Sequence, residues 1–291
     1  MNTLSGTGIW SGGLRYGDPG KSREAAAELD SLGYSAIWIP DVGGDLFDAI
    51  ERLLDATSSL TVASGILNLW MHSPEETAAA HSRFTDLYGD RFMVGIGVSH
   101  APLIDGDEVG RYRKPLARMA EFLDALDTAP IPLPRGRRVL AALGPKMLEL
   151  ARTRTAGTHP YNVTPEHTAM AREAIGPDGL VAPEQAVALI TDAAKARELG
   201  RRALAAYLTF PNYVNNFRRL GFDEDDFANG GSDSLVDAMV AWGDESTIRD
   251  RIDLHRAAGA DHVCIQVLTE ESSSLPLTEW RRLAPALIDR G

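Results

Sequence analysis

The side chains best placed for chemistry in this sequence stand at the ends of short apolar runs. Asp41-Val42-Gly43-Gly44 follows the run at 34–40, and Gly65, Ile66, Asn68 and Trp70 cluster where the run at 60–67 ends. Gly97, Ser99 and His100 close RFMVGIGV, Gly144-Pro145 follows RRVLAAL, and His159, Pro160, Tyr161 and Asn162 end the segment that begins at Gly157. This set carries little formal charge but offers several hydrogen-bond donors and flat apolar surfaces. It suits a planar, largely neutral heterocycle better than a sugar bisphosphate or a metal ion. Gly65 interrupts an otherwise branched apolar strand, the mark of a bulge or of a close backbone approach. Gly144-Pro145 opens a helix, whose free amides favour an anion. Each residue also has a structural reading: glycines make turns, Trp70 fills a rim, and His159 satisfies a backbone carbonyl. Farther on, Phe210, Tyr213 and Phe217 lie beside Asn212, Asn215 and Asn216 in FPNYVNNFRRLGF. Helix packing accounts for those aromatics as well as ligand contact does.

Positions so far apart converge only if the intervening elements form a regular frame. The runs at 6–10, 34–40, 60–67, 91–98, 137–143, 157–163, 182–190 and 260–268 read as strands. Between them lie Ala-rich amphipathic stretches, among them 22–33, 45–58, 114–126, 244–258 and 277–290. Ser73-Pro74-Glu75-Glu76 combines an N-cap serine, proline at the first helical position and glutamate at the third, and Thr164-Pro165-Glu166 repeats the signal. The strands are apolar throughout rather than alternating, so both faces are expected to be buried in a parallel sheet. Eight such units predict a (β/α)8 TIM barrel, with a doubly wound sheet as the alternative. No linker or composition break divides residues 1–291, which predicts one domain, and the stretch 191–242 reads as a helical insertion over the barrel mouth. In a barrel the strand C-termini form the active-site mouth.

Composition removes other classes. The 291 residues carry 29 basic and 41 acidic side chains, a net charge of −12 that disfavours nucleic-acid binding. The lone cysteine, Cys264, reads as core, and a single thiol excludes a disulfide framework and points to a reducing, cytoplasmic setting. MNTLSGTGIW lacks the features of a signal peptide, and no apolar stretch is long enough to span a membrane. The seven histidines show no metal-ligand spacing, so no metal is expected. GIGVSH lacks the third glycine of a dinucleotide fingerprint. Gly97-Val98-Ser99-His100-Ala101 fails as a nucleophile elbow because Pro102 interrupts the helix that should follow. Arg135-Gly136-Arg137-Arg138 reads as a solvated loop, and His81 and His255 as structural or solvated helix residues.

Taken in order, LDSLGYSAIWIPD, LTVASGILNLW, DRFMVGIGVSH, LAALGPKMLELA, GTHPYNVTPEHTAMAR, FPNYVNNFRRLGF and AAGADHVCIQVL resemble the luciferase-like monooxygenase superfamily, specifically its branch of deazaflavin (coenzyme F420)-dependent oxidoreductases. The likeness covers essentially the whole chain. It implies a barrel with the ring against the strand ends, backed by a non-prolyl cis peptide that would here be Gly65–Ile66. It places Asn68 near the ring's polar edge, and Gly97, Ser99 and the segment His159–Val163, including Val163, near the cofactor's side chain or phosphate; Asp41 and Gly144 are expected to contact the cofactor as well. Val42, Trp70, Phe210, Tyr213 and Asn216 would then face the substrate. It further implies a small-molecule substrate and a homodimer. Two positions depart from relatives acting on sugar phosphates: Val42 stands where those carry a catalytic histidine, and His100 where they carry a glutamate acid. A sugar-phosphate substrate is thereby disfavoured, and His100 becomes the candidate acid or base, since histidine titrates near neutral pH. The expected activity is hydride transfer between the deazaflavin and a small organic substrate. The alternatives are an FMN-dependent monooxygenase, a non-flavin barrel enzyme such as a lyase, and a non-catalytic cofactor-binding barrel.

Overall fold

The computed structural model describes residues 4–106, 110–271 and 274–288. Its strands are β1 (Gly6–Trp10), β2 (Ala36–Ile39), β3 (Thr61–Ser64), β4 (Leu67–Asn68), β5 (Phe92–Gly97), β6 (Arg138–Leu140), β7 (Gly157–Thr158), β8 (Leu180–Val181), β9 (Glu184–Ala188), β10 (Val240–Trp242) and β11 (His262–Val267). All pair in parallel, in the order β10-β9-β11-β1-β2-β3-β5-β6-β7-β8, with β4 against β5. The segment 180–188 closes the circle. Its first part pairs with β7 through Leu180 and Val181, and its second with β11 through Glu184 to Val187. The result is the expected (β/α)8 barrel.

Continuous apolarity of the strands follows from their two buried faces. In β2, Ala36 and Trp38 point into the barrel, joined there by Ala63, Met93, Val139, Leu180, Ala182 and Cys264. The alternate residues Ile37 and Ile39 pack outward against the helices with Val62, Val94, Leu140, Val263 and Ile265. Cys264 is a core residue, as its position in the apolar run predicts. The helix Pro74–Tyr88 starts as read from sequence, with the amide of Glu76 donating to Ser73 Oγ at 3.0 Å.

Other readings need correction. The helix read over 22–33 begins at Pro19, earlier than the periodicity shows, because Asp18 caps it by accepting from the amide of Lys21. The strand read over 60–67 is broken, since β3 stops at Ser64 and pairing resumes only at Leu67. The strand read over 157–163 keeps only two residues. Beyond Thr158 the chain turns through Asn162, which has a left-handed φ of 53°. A helix does follow His100 at once, Ala101–Ile104, because Pro102 is tolerated in a first turn. Arg138 is not solvated: it opens β6, is fully buried and pairs with Asp127. His255 is buried between Thr168 Oγ1 (2.8 Å) and Gln185 Oε1 (2.9 Å). The closing helix runs Leu277–Leu287, and residues 289–290 lie outside the described residues.

The stretch 191–242 is largely helical, comprising Ala193–Leu204, Pro211–Arg219, Glu224–Phe227 and Asp233–Met239. It ends in the short β10, which the sequence reading missed and which pairs with the edge of β9 opposite β11. Its apolar side chains form their own cluster around Leu199, Phe210, Phe217, Leu235 and Met239, resting on Ala186 and Ala188 of β9.

Candidate functional site

The interruption between β3 and β4 organises the mouth. Gly65–Ile66 is a cis peptide bond, the one such non-prolyl bond among the described residues. The amide of Gly65 donates to Ile39 O at 2.7 Å, and Trp10 Nε1 donates to Gly65 O at 2.9 Å. A Cβ on Gly65 would stand 2.9 Å from Trp10 Nε1 and 3.2 Å from His159 Nε2, so the backbone is gripped on both sides. Asp41 holds the far side of the bulge. Its Oδ2 accepts from the amide of Asn68 and from His72 Nε2, each at 3.0 Å, in a buried position. Burial works against a charged His72, yet the bond to Asp41 raises its pKa above the ordinary histidine value. Asn68 Oδ1 in turn accepts from the amide of Trp70, whose indole donates to Val98 O at 2.7 Å.

Ile66 forms one wall of a cleft of about 520 Å³ between the ends of β5 and β6 and the helix Pro211–Arg219. Gly97, Val98, Ser99 and His100 line it from β5, and Ala141, Ala142 and Leu143 floor it beyond β6. A Cβ on Gly97 would lie 2.4 Å from Ile66 Cδ1, so a larger residue there would have to push the Ile66 side chain aside. Ser99 adopts a left-handed φ of 55°, which turns the chain into the helix after His100. At one end Gly144 caps the helix Pro145–Arg154, and Lys146 and Arg219 flank that N-terminus. A guanidinium nitrogen of Arg219 lies 3.6 Å from where a Gly144 Cβ would stand. Among the described residues no carboxylate lines the cleft. In a chain of net charge −12 this is a local cationic site, and the helix dipole adds to it.

The other end is aromatic. His100 stacks on Phe210 at 4.2 Å and 8°, with Tyr213 tilted at 5.4 Å. Burial holds its imidazole below the usual histidine range, partly offset by the hydrogen bond to Asn212. Tyr161 lines the same cleft and donates to Gln266 Oε1 at 2.6 Å, and Tyr207 donates to Tyr161 Oη at 3.0 Å. Trp10 packs on Tyr161 at 5.2 Å and lines a neighbouring pocket with Gln266.

The structure therefore brings Ile66, Gly97, Ser99, His100, Gly144, Tyr161 and Tyr213 to one cleft, with Phe210 stacked behind His100. Asp41, Gly65, Asn68 and Trp70 shape the bulge rather than line the cleft. Several expected site residues point elsewhere. His159 is buried inside the barrel, stacked on Trp38 at 4.0 Å with Nδ1 bonded to Ala182 O, and burial lowers its pKa to about 4. Pro160 and Val163 are buried, and the amide of Asn162 donates to Glu184 Oε2. Asn216 is fully buried on the inner face of its helix. Val42 is 71% exposed at the rim, its amide bonded to Tyr16.

Sequence reading missed Lys146, Arg219, Tyr112, Trp10 and Glu184. Glu184 is fully buried in β9, and burial pushes its carboxyl up to about 8. Two polar residues, Glu184 and Gln185, inside an apolar barrel strand were the visible signal. Among the described residues no group of three or more His, Cys, Asp or Glu converges as a metal-ligand set, and no helix is long and apolar enough to cross a membrane.

A barrel whose mouth is backed by a cis bulge and opens into a cleft with a cationic end has the architecture of an enzyme with its site at the strand ends. The sequence pattern of the luciferase-like monooxygenases matches residues 2–262, and the chain belongs to that family. A putative coenzyme F420-dependent oxidoreductase of Mycobacterium tuberculosis is 25% identical over 107 residues, which span 36% of this chain and only 31% of that relative. An F420-dependent secondary alcohol dehydrogenase, solved with an F420–acetone adduct, superimposes with a TM-score of 0.76 at 13% identity, over 99% of this chain and 100% of that one. The oxygenating constituent of 3,6-diketocamphane monooxygenase from Pseudomonas putida, solved with FMN, gives 0.68 at 14% identity, over 98% of each chain. At such identities these two structures establish the shared fold alone.

Proposed function

We propose that this protein is an oxidoreductase that binds coenzyme F420 in the cleft beside Gly65–Ile66 and exchanges a hydride with a small organic substrate at the aromatic end. One observation carries the reading: a single cleft joins the bulge to a cationic end bearing Lys146, Arg219 and a helix N-terminus. The deazaflavin, when bound, supplies the hydride chemistry. The chain's residues supply the rest. Ile66, Ala141 and Ala142 offer flat apolar contact, and Gly97 leaves the floor open. Lys146 and Arg219 would hold the anionic side chain at the exposed rim, where a tail bearing several negative groups can extend into water. Phe210, Tyr213 and Tyr112 exclude water around His100, the candidate proton carrier. The partial likeness to a putative coenzyme F420-dependent oxidoreductase supports deazaflavin over FMN.

The test is titration with oxidised F420 and, separately, with FMN, followed by absorbance and by turnover with small alcohols and carbonyl compounds. Tight F420 binding with weak FMN binding is the expected result. Binding of FMN alone would reassign the chain to the oxygen-activating side of its family, and binding of neither would remove the cofactor reading.

A further inference from the structure

His100 belongs to the barrel, but its state is set by the insertion. It follows β5, while its ring is gripped by the helix Pro211–Arg219 and the residue before it. Asn212 Oδ1 lies 3.1 Å from Nδ1, and Phe210 covers the ring face at 4.2 Å. A carboxamide oxygen only accepts, so Nδ1 must donate. A neutral imidazole with its proton on Nδ1 carries its lone pair on Nε2. Among the described residues Nε2 has no protein partner, and the half-buried ring lines the cleft. Among the described residues the surrounding elements contribute no anion: Tyr112, Tyr161 and Tyr213 present phenols, and the charged lining groups, Lys146 and Arg219, are cations that disfavour imidazolium. Burial acts in the same direction.

We infer that Asn212 is a positioning residue that fixes the Nδ1–H tautomer of His100, leaving Nε2 to accept the proton from the hydroxyl of an uncharged alcohol substrate. This rests on the oxidoreductase reading and gives it a direction. An oxidised deazaflavin, when bound, would accept the hydride of the carbinol carbon; the part of this chain is to take the hydroxyl proton on Nε2. The C–O bond becomes a carbonyl, and the imidazolium later returns its proton to water. Pro115, Leu116, Phe210 and Tyr213 surround this point with apolar surface, and among the described residues no carboxylate faces it. The substrate body is therefore neutral and apolar.

The first test needs no cofactor. Nitrogen-15 spectra of histidine-labelled protein, with His100 assigned by its loss in His100→Gln, should show a protonated Nδ1 and a bare Nε2. In Asn212→Ala the proton should redistribute toward Nε2. Asn212 is exposed, so the variant keeps the packed core. An Nε2–H tautomer in the unmodified protein, or no change in Asn212→Ala, would overturn the positioning role. The second test is kinetic. With F420 bound, Asn212→Ala should lower kcat for alcohol oxidation at least about tenfold with little change in KM. Asn212→Asp keeps an acceptor and adds a charge, so it should restore the tautomer and move the ascending pH limb of the rate upward by about one unit. No oxidation of any neutral alcohol by a protein that binds F420 would refute the substrate class. Failure to bind F420 or FMN would refute the oxidoreductase reading while the spectra still decide the tautomer.

Discussion

Removing Arg219 tests whether the cationic end of the cleft holds a phosphate-bearing tail. Its guanidinium overhangs Gly144, at the start of the helix Pro145–Arg154, with Lys146 in the first turn below it. A unit charge about 4 Å from an anion is worth about 1 kcal/mol in bulk water and about 4 kcal/mol at an effective dielectric of 20. Both side chains are exposed, so the lower half of that range applies, about 1–2 kcal/mol for each cation. Arg219→Ala should therefore weaken binding roughly five- to thirtyfold, and Arg219→Ala combined with Lys146→Ala by about the product of the single effects if the two act independently. The assay is calorimetric or absorbance titration with two ligand pairs: F420 against its phosphate-free deazaflavin core, and FMN against riboflavin. Only the phosphate-bearing member of each pair should lose affinity, and the difference should shrink as salt rises. Equal losses for both members would mean that Arg219 acts on the shape of the cleft. No loss for either would place the tail somewhere else.

Other consequences follow from the same geometry. Gly97→Ala should drive a methyl into Ile66 Cδ1, costing about 1–3 kcal/mol by denaturant unfolding and weakening cofactor binding more than stability alone explains; a neutral substitution would mean the bulge is free to move. Ser73→Ala removes the cap on the helix Pro74–Tyr88 and should cost about 1 kcal/mol with cofactor affinity unchanged, read from a shifted midpoint at constant m-value. Stability should also depend on pH from both sides. Glu184 keeps its proton up to about 8 in the folded protein but only to about 4.3 when unfolded, so the folded state binds more protons in between and stability falls as pH rises across that window. His81 and His159, lowered to about 4, and His255 and His262, lowered to about 3, act oppositely: the unfolded chain takes up protons that they refuse, so stability falls as pH drops below about 6.5. Glu184→Gln should flatten the alkaline slope above about 6.5 and steepen the acid slope between about 4.3 and 6.5, where Glu184 opposes the histidines; an unchanged alkaline slope would sink the assignment.

The barrel was legible because a strand buried on both faces must be apolar throughout, and that pattern recurs from Ile37 to Ile265 with helix punctuation between. The bulge was legible too, since Gly65 had no other business in a branched strand, and the family likeness then located the cis bond. The cationic end was harder to see. Lys146 and Arg219 lie far apart in sequence, and each alone reads as an ordinary exposed side chain; only the fold of the insertion onto the helix at Gly144 joins them. His159 shows the opposite failure. Its place after an expected strand suggested a mouth residue, but β7 ends at Thr158 and the next side chain turns inward onto Trp38. Strand ends predict a mouth only when the strand's last residue is known, and for a two-residue strand it is not.

The separate apolar cluster beneath the insertion has a consequence of its own. Phe210, Phe217, Leu235 and Met239 pack mainly on one another and on the outer edge of β9, apart from the layer that binds the helices to the barrel. A cluster so divided can open as a sub-global cooperative unit while the barrel stays folded. Amide protons of the helix Pro211–Arg219 would then exchange ahead of those in β1 or β11. Each opening would release Phe210 and Asn212 from His100, so admission of a bulky ligand and disarming of the histidine would be one and the same excursion.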